Sequence, residues 1–528
     1  VKNIMPKVLI SDNLNTKAEE ILISNNIETE VNIGLSPKEL INIISDFDGL
    51  IIRSNTQVTK EIINNAKLLK VIGRAGIGVD NINVESATAR GIIVMNTPYG
   101  NSITTAEHTI AMILSLARSI PQANSSTHAG NWEKAKFTGT ELYGKTLGMI
   151  GCGNIGSIVA ELAIGLKMKV IVFDPYLTSE KVIELGLKKT SLEELFNHSD
   201  FITLHTPLND STKDIINIKN IKKMKKGVRI INCARGGLIV ENDLKLAIEN
   251  GLVAGAAVDV FETEPAKNNC LFGIPEVIAT PHLGASTSEA QENVAIQIAE
   301  QISEYLVNGS ITNAINIPPV SKEEMPKLKP YMNLANKLGK LAGQISSTSI
   351  TNATISFSGY ASKINTNPII ACILEGLLSP RMSTVNMVNA PLIAKERNIN
   401  ISTTFNESAG DYMTEIGLSV NTENRKRTVT GTLFANSPRI VEIMGIKIDA
   451  ALGKNMLFVT NADQPGFIGS LGSLLGKEKI NIGTFSLGRT KQNEDAIALI
   501  ETDEPVSKEV VSKMHKLPNV QSVKALKF

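Results

Sequence analysis

The chain has 528 residues, too many for one core, and a soft prior of roughly 150 residues per domain gives three or four domains. With 53 Lys+Arg against 52 Asp+Glu the net charge is +1, so no bulk pull toward nucleic acid or an anionic membrane is expected, and no apolar run reaches the ~18 residues of a membrane span. Val1 to Lys7 lack the form of a signal peptide, Met5 reads as a natural start, and the four cysteines (Cys152, Cys233, Cys270, Cys372) show neither CxxC nor metal-ligand spacing, so the chain reads as cytoplasmic and without a metal.

From Lys7 short strands alternate with helices: Val8–Ser11, a helix over Thr16–Asn25, Gly49–Ile52 ending at Arg53-Ser54, Val71–Gly73 ending at Arg74-Ala75-Gly76, and Ile92–Asn96. Alternation of this kind predicts a doubly wound parallel sheet, whose ligands sit beyond the carboxyl ends of its strands. Arg53, Arg74 and Asn101 fall at or just after such ends. Each arginine alone reads as a solvated loop charge, whereas two at equivalent loop positions suggest an anion site. Asn101-Ser102 then reads as the cap of a long buried helix, Ile103 to Arg118, which leads through a polar segment holding Trp132 to a second parallel sheet.

That second sheet opens with the stretch around which the chain is organised. Thr146–Ile150 runs into Gly151-x-Gly153-x-x-Gly156 and a helix to about Lys167. The first glycine permits a tight turn, the second a close approach to a pyrophosphate, and the third helix–strand packing that aims free N–H groups at the phosphates. Lys169–Phe173 then ends in Asp174, whose carboxylate suits ribose hydroxyls and repels a 2′-phosphate, so NAD rather than NADP is expected. Later strands end at Thr206-Pro207, at Cys233-Ala234-Arg235, at Asp259 with Glu264 beyond it, and at Thr280-Pro281-His282.

Arg235, Glu264 and His282 therefore converge on one crevice edge, and they are the groups that hydride transfer from a secondary alcohol requires. An imidazole titrates near neutral pH and takes the hydroxyl proton; a carboxylate orients the ring and favours its charged form; a guanidinium holds an α-carboxylate bidentately. Singly, each reads as an ordinary loop residue. Together they form a candidate catalytic triad.

At this point Gly151–Gly156, Asp174, Asn232–Gly237, Asp259–Pro265 and Thr280–Ser286 together resemble the D-isomer-specific 2-hydroxyacid dehydrogenases. Gly73–Asp80, Met95–Pro98, Gly100–Ser102 and Lys136–Glu141 are similar to the long branch of that family, which oxidises 3-phospho-D-glycerate at the start of serine synthesis. Read linearly, the chain gives two α/β domains in sequence. The resemblance implies instead a split substrate domain, 1–98 plus 283–316, around an NAD domain at 99–282, with hinges near Tyr99-Gly100 and Leu283-Gly284-Ala285. It further implies Gly151, Gly153, Asn154, Ile155, Gly156, Asp174, Thr206, Pro207, Cys233, Ala234, Arg235, Asp259, His282 and Gly284 as the NAD set. Arg53, Ser54, Arg74, Gly76 and Asn101 would contact the phosphorylated hydroxyacid, with Lys136 reaching a phosphate across a dimer.

After Ile317-Pro318-Pro319, residues 317–454 read as a small α/β unit: a helix near Pro330–Ile345, a strand Thr351–Ser356, helices around Asn367–Leu378 and Asn389–Asn398, then further strands. It resembles the intervening domain of the long branch. Arg439 and Lys447 are its candidate anion ligands, against the plainer reading as surface charges. Residues 455–528 read strand, helix, strand, strand, helix, strand and resemble an ACT domain, a small-molecule sensor that pairs edge to edge. That resemblance implies Asn461, Asp463 and Asn481 as ligands of an L-serine effector, and a homodimer or homotetramer through the NAD and ACT domains. Two other readings stay open. A binding-only NADH sensor shares the same core, and a glyoxylate, hydroxypyruvate or 2-hydroxyglutarate dehydrogenase would share the triad, with 2-oxoglutarate as a side substrate.

Overall fold

Strands buried on both faces must be apolar throughout, and the Ile- and Val-rich runs of the first half meet that demand. The structure, a computed structural model, describes residues 5–346, 348–422, 425–491 and 494–528. The first sheet is all parallel, in the order Glu28–Val31, Lys7–Ile10, Gly49–Ile52, Val71–Arg74, Ile93–Asn96. Its order reverses between Lys7–Ile10 and Gly49–Ile52, where Asp12 and Arg53 emerge. The second, also parallel, runs Val277–Ala279, Val253–Val258, Val228–Asn232, Phe201–Leu204, Thr146–Ile150, Lys169–Phe173, Lys188–Lys189. Its reversal lies between Thr146–Ile150 and Phe201–Leu204, the point at which a doubly wound sheet receives its dinucleotide.

The helix Ser288–Asn308, capped by Thr287, returns to the first sheet rather than staying with the second. Val294, Ala295, Ile298, Ala299 and Ile302 pack there among Val8, Ile10, Val71 and Ile93. The chain then lies along the strand Ile93–Asn96, with the Ile315 N–H donating to Val94 O at 2.8 Å and the Asn96 N–H to Asn313 O at 3.2 Å. The helix Ser102–Arg118 starts close to its predicted position, but Asn101 does not cap it. Its backbone (φ −134°, ψ 14°) departs from the extended geometry that aims a cap at the first turn, and its side-chain Oδ1 is buried without a partner.

In the carboxyl-terminal part, helices Met325–Ile345 and Asn367–Leu378 share a core with a six-stranded mixed sheet. Its order is Asn400–Asn406, Ile350–Gly359, Thr414–Thr422, Lys426–Phe434, Ser437–Ile443, Ile446–Ala451, with only the first pair parallel. The last unit is an antiparallel sheet, Ile482–Arg489, Asp495–Thr502, Asn455–Ala462, Val520–Lys527, with helices Phe467–Lys477 and Lys508–His515. Its strands alternate between two cores, as a period of two requires. Leu457, Val459, Ala498 and Ile500 face its own helices, while Met456, Phe458, Ile497 and Leu499 join the core around Leu338 and Leu341. This second half touches the end of the helix Val84–Ala89 beside the first sheet, where Asn386 donates to Gly91 O at 2.9 Å and Asn389 to Ala89 O at 3.2 Å. Among the described residues no helix is long and apolar enough to cross a membrane.

Candidate active site

The glycine loop is built for close approach. Gly151 sits at φ +92°, and a Cβ there would lie 2.5 Å from the His205 carbonyl oxygen; one on Gly156 would lie 2.7 Å from Gly151 O. At Gly153, by contrast, a Cβ would meet nothing within 4 Å, so the space beside the N-terminus of helix Asn154–Gly165 is open. That helix has no side-chain cap, which leaves its first N–H groups for an anion. Asp174 closes the loop, accepting from the Cys152 N–H and the Tyr176 N–H at 2.8 Å each. Thr206 at the neighbouring strand end keeps a buried Oγ1 without a partner. An open cradle, free helix amides and a strand-end carboxylate fit NAD. Burial, reinforced by the charges of Asp174 and Asp259, pushes the thiols of Cys152 and Cys233 up to about 11 and 12, so both act as packing residues. Burial holds the His205 imidazole down at about 4, so it is neutral at working pH and is not a second acid.

The reacting groups lie on three successive loops of the second sheet. Asn232 shapes the first, accepting from the Ala234 N–H at 3.0 Å and donating to Arg235 O at 2.8 Å. Glu264 accepts from the Phe261 N–H through Oε1 and lies 2.6 Å from His282 Nδ1 through Oε2. Burial raises the Glu264 carboxyl, but the bonds from His282 and Phe261 outweigh it and hold the group below its ordinary value. His282 is held at φ +56°, a left-handed conformation rare for a side-chain-bearing residue, by its N–H bonds to Asp259 O and Thr280 O. Asp259 is fully buried and already committed: Oδ1 accepts from Thr280 at 2.6 Å and the Leu283 N–H at 2.7 Å, Oδ2 from the Gly284 N–H at 2.8 Å, with His108 at 3.3 Å. It anchors the loop that carries His282.

Facing these loops is the carboxyl edge of the first sheet. Asp12 fixes the Arg53 loop, accepting from the Arg53 N–H at 2.6 Å and the Thr56 N–H at 3.2 Å, while Ser54 is exposed. Arg74 folds over Gly76, where an added Cβ would collide with its guanidinium, and its Nε is buried without a partner. Burial, then the charges of Arg235 and Arg53, lower Arg74 to about 10, which leaves it cationic at neutral pH. The two sheets meet at Arg235, whose Nε lies 3.3 Å from Asp80 Oδ2. Arg74 thus lies within electrostatic reach of both Arg53 and Arg235, and of Asp80. Lys136 is not brought to them; it is exposed on a 3-10 turn, 3.3 Å from Glu133. Asp12, Asp80 and His108 were not singled out from sequence, although Asp12 shares the strand-end position that marked Arg53 and Arg74.

In the last unit a cavity of about 330 Å³ is lined by Asn461, Asp463, Gly466 and Phe467, with Arg489 opposite. Asn461 is 1% exposed with Oδ1 unpartnered, and Asp463 lies 2.9 Å from Arg489. Asn481 is absent from this cavity. It stands at the other end of the sheet, a full strand away, bonded to Asp503 at 2.7 Å. Arg439 and Lys447 are tied to Asp449 and Asp411 at 3.5 and 3.2 Å, as surface charges would be.

Three family models match the chain. The NAD-binding domain of D-isomer specific 2-hydroxyacid dehydrogenases covers residues 110–284, the D-3-phosphoglycerate dehydrogenase intervening domain 327–444, and the ACT domain 455–519. The chain is 43% identical over 524 residues to a D-3-phosphoglycerate dehydrogenase of Bacillus subtilis, covering 99% of each. It is 42% identical to one of Methanocaldococcus jannaschii, covering 98% of this chain and 99% of the relative. Among solved structures it resembles the NAD+-bound 3-phosphoglycerate dehydrogenase of Entamoeba histolytica, at 31% identity and a TM-score of 0.51 over 59% of this chain and 99% of that one.

Proposed function

The chain belongs to the NAD-dependent D-3-phosphoglycerate dehydrogenase family, and from that premise we propose that Arg235, Glu264 and His282 carry the oxidation of 3-phospho-D-glycerate to 3-phosphohydroxypyruvate, the first step of L-serine biosynthesis. The observation behind this reading is the 2.6 Å pair between Glu264 and His282 Nδ1, next to a crevice that holds three arginines. His282 Nε2, with no hydrogen bond among the described residues, takes the proton of the C2 hydroxyl. Glu264 holds the ring and compensates the imidazolium that results. Arg235 exchanges Asp80 for the substrate carboxylate and fixes C2 in front of His282. Arg53 and Arg74, with Ser54, Gly76 and Asn101, receive the phosphate end.

Gly151, Gly153, Asn154, Ile155, Gly156 and Asp174 hold the adenosine and pyrophosphate half of NAD, and Thr206, Pro207, Cys233, Ala234 and Gly284 border the nicotinamide half. NAD, when bound, accepts the hydride. Residues 1–98 with 283–316 form a substrate domain that closes on 99–282 about hinges beside Tyr99 and Leu283. Asp259, buried under the second hinge, acts on NAD through the loop it anchors. L-serine is the effector of the Asn461–Asp463 cavity, 455–528 acting as sensor and 317–454 as connector. Asn481 stands at the far end of the sheet, so as a serine ligand it would have to come from a second copy joined through the ACT domain. Trp132 and Tyr143, 88% and 76% exposed, support a second contact through the NAD domain.

The test is NADH oxidation with 3-phosphohydroxypyruvate, 2-oxoglutarate or glyoxylate, each with and without serine. Turnover strongest on the phosphorylated acid and suppressed by serine is expected, with 2-oxoglutarate a slower substrate. Turnover on an unphosphorylated acid alone would keep the triad and overturn the substrate, and indifference to millimolar serine would remove the effector.

A further inference from the structure

Four open sheets have eight edge strands, and among the described residues seven carry a device that keeps other strands away. Glu28–Val31 bears two glutamates paired with Lys7, and Ile93–Asn96 is covered by the returning chain at 313–316. Lys188–Lys189 is two lysines long, and Val277–Ala279 only three residues. Ile446–Ala451 and Ile482–Arg489 shield each other, with Ser486 donating to Asp449 O at 2.8 Å. Val520–Lys527 carries two lysines and caps the end of Met325–Ile345 through Lys524.

Asn400–Asn406 has no such device. It is seven residues of Asn-Ile-Ser-Thr-Thr-Phe-Asn, without charge, proline or bulge, and every residue is exposed. Its inner edge pairs with Ile350–Gly359; its outer edge meets nothing among the described residues. Ile401, Thr403 and Phe405 lie on the face where Phe357 is fully buried, yet the helices stop short of them, leaving Ile401 38% and Phe405 54% exposed. Phe405 is held in place by stacking on Phe357 at 5.6 Å.

We propose that this strand pairs with the same strand of a second copy of the chain, antiparallel about a two-fold axis at Thr403. The sequence is self-complementary in that register. Ile401 falls opposite Phe405 on the apolar face, Ser402 opposite Thr404 and Asn400 opposite Asn406 on the polar face, and Thr403 opposite itself. Aliphatic–aromatic and hydroxyl pairs of this kind are the stabilising units of antiparallel sheets. The contact is isologous, so it closes on itself and joins two six-stranded sheets into one. An unrelated peptide has no reason to match both faces at once. The contact lies apart from both the NAD and the ACT surfaces.

Cysteines placed by this register test it in the full-length chain. In T403C the two copies face each other with Cα atoms about 4.5–5.5 Å apart, inside the roughly 4.4–6.8 Å range of a disulfide. In I401C they are about 13 Å apart along the strand, outside it. Mild oxidation should link T403C into a covalent dimer on a non-reducing gel and leave I401C as it was, with the wild-type chain as control for Cys270. Equal linking of both, or none in T403C, overturns the proposal. Independently, Thr403→Lys places like charges directly opposite one another. Sedimentation velocity should then show the association constant of the largest assembly fall at least tenfold with turnover retained, and an unchanged assembly would also overturn the proposal.

Discussion

The crevice and the carboxyl-terminal cavity are built from the same parts, a strand end, an open helix N-terminus and a carboxylate paired to a cation, yet the pairs serve opposite ends. Glu264 spends its charge on a neighbour that still offers Nε2 for chemistry. Asp463 pairs with Arg489 across the cavity to which the proposal assigns a serine ammonium group. A pair that orients leaves the site ready. A pair that competed with an effector would set a threshold.

The sharpest way to break this contrast is at His282. His282→Ala should lower turnover roughly 10²–10⁴-fold with NADH binding, followed by fluorescence, intact; turnover within tenfold of wild type would remove the histidine from the chemistry. Because Glu264 acts through His282, adding Glu264→Gln to that variant should cost nothing more, whereas Glu264→Gln alone should be impaired. A further large drop in the double variant would show that Glu264 works independently. Arg489→Met should tighten serine binding in calorimetry by up to about fivefold, the scale of a pair worth ~0.2–1 kcal/mol. Weaker binding would make Arg489 a ligand rather than a competitor. Asp80→Asn should lower the KM for 3-phosphohydroxypyruvate by a similar factor at constant kcat, since Asp80 holds the guanidinium to which the proposal assigns the substrate carboxylate; a fall in kcat would instead assign it to the reaction.

The smallest effect concerns acid stability. The folded Glu264 carboxyl lies below its ordinary value of 4.5, so its contribution to folding is complete above that pH and is lost as pH falls through the folded value. The stability difference between wild type and Glu264→Gln should therefore shrink as pH falls below about 4.5. A gap that widened in acid would reverse the sign of the linkage.

What was legible in the sequence was local. The glycine loop, Asp174 and the strand-end positions of Arg235, Glu264 and His282 follow from strand–turn–helix order alone, because a parallel sheet sends all its carboxyl ends to one edge. The return of Ser288–Asn308 to the first sheet is invisible to the residue pattern, since a helix's apolar stripe does not say which sheet it covers; only the family resemblance implied it. The Arg235–Asp80 pair depends on how two sheets face each other, and Arg489 meets Asp463 from a strand on the far side of Asp495–Thr502. Asn481 shares the Asn461 unit but not its end, a separation that only the antiparallel register reveals.

Asn386 and Asn389 grip the carbonyl end of the helix Val84–Ala89. That helix follows directly on the loop of Arg74 and Asp80. The intervening and ACT units share one apolar core and form a single arm, and the two asparagines are among the points where that arm meets the catalytic half. Were serine to move that arm, as proposed above, the change would reach the loop behind the arginines before the cradle for NAD.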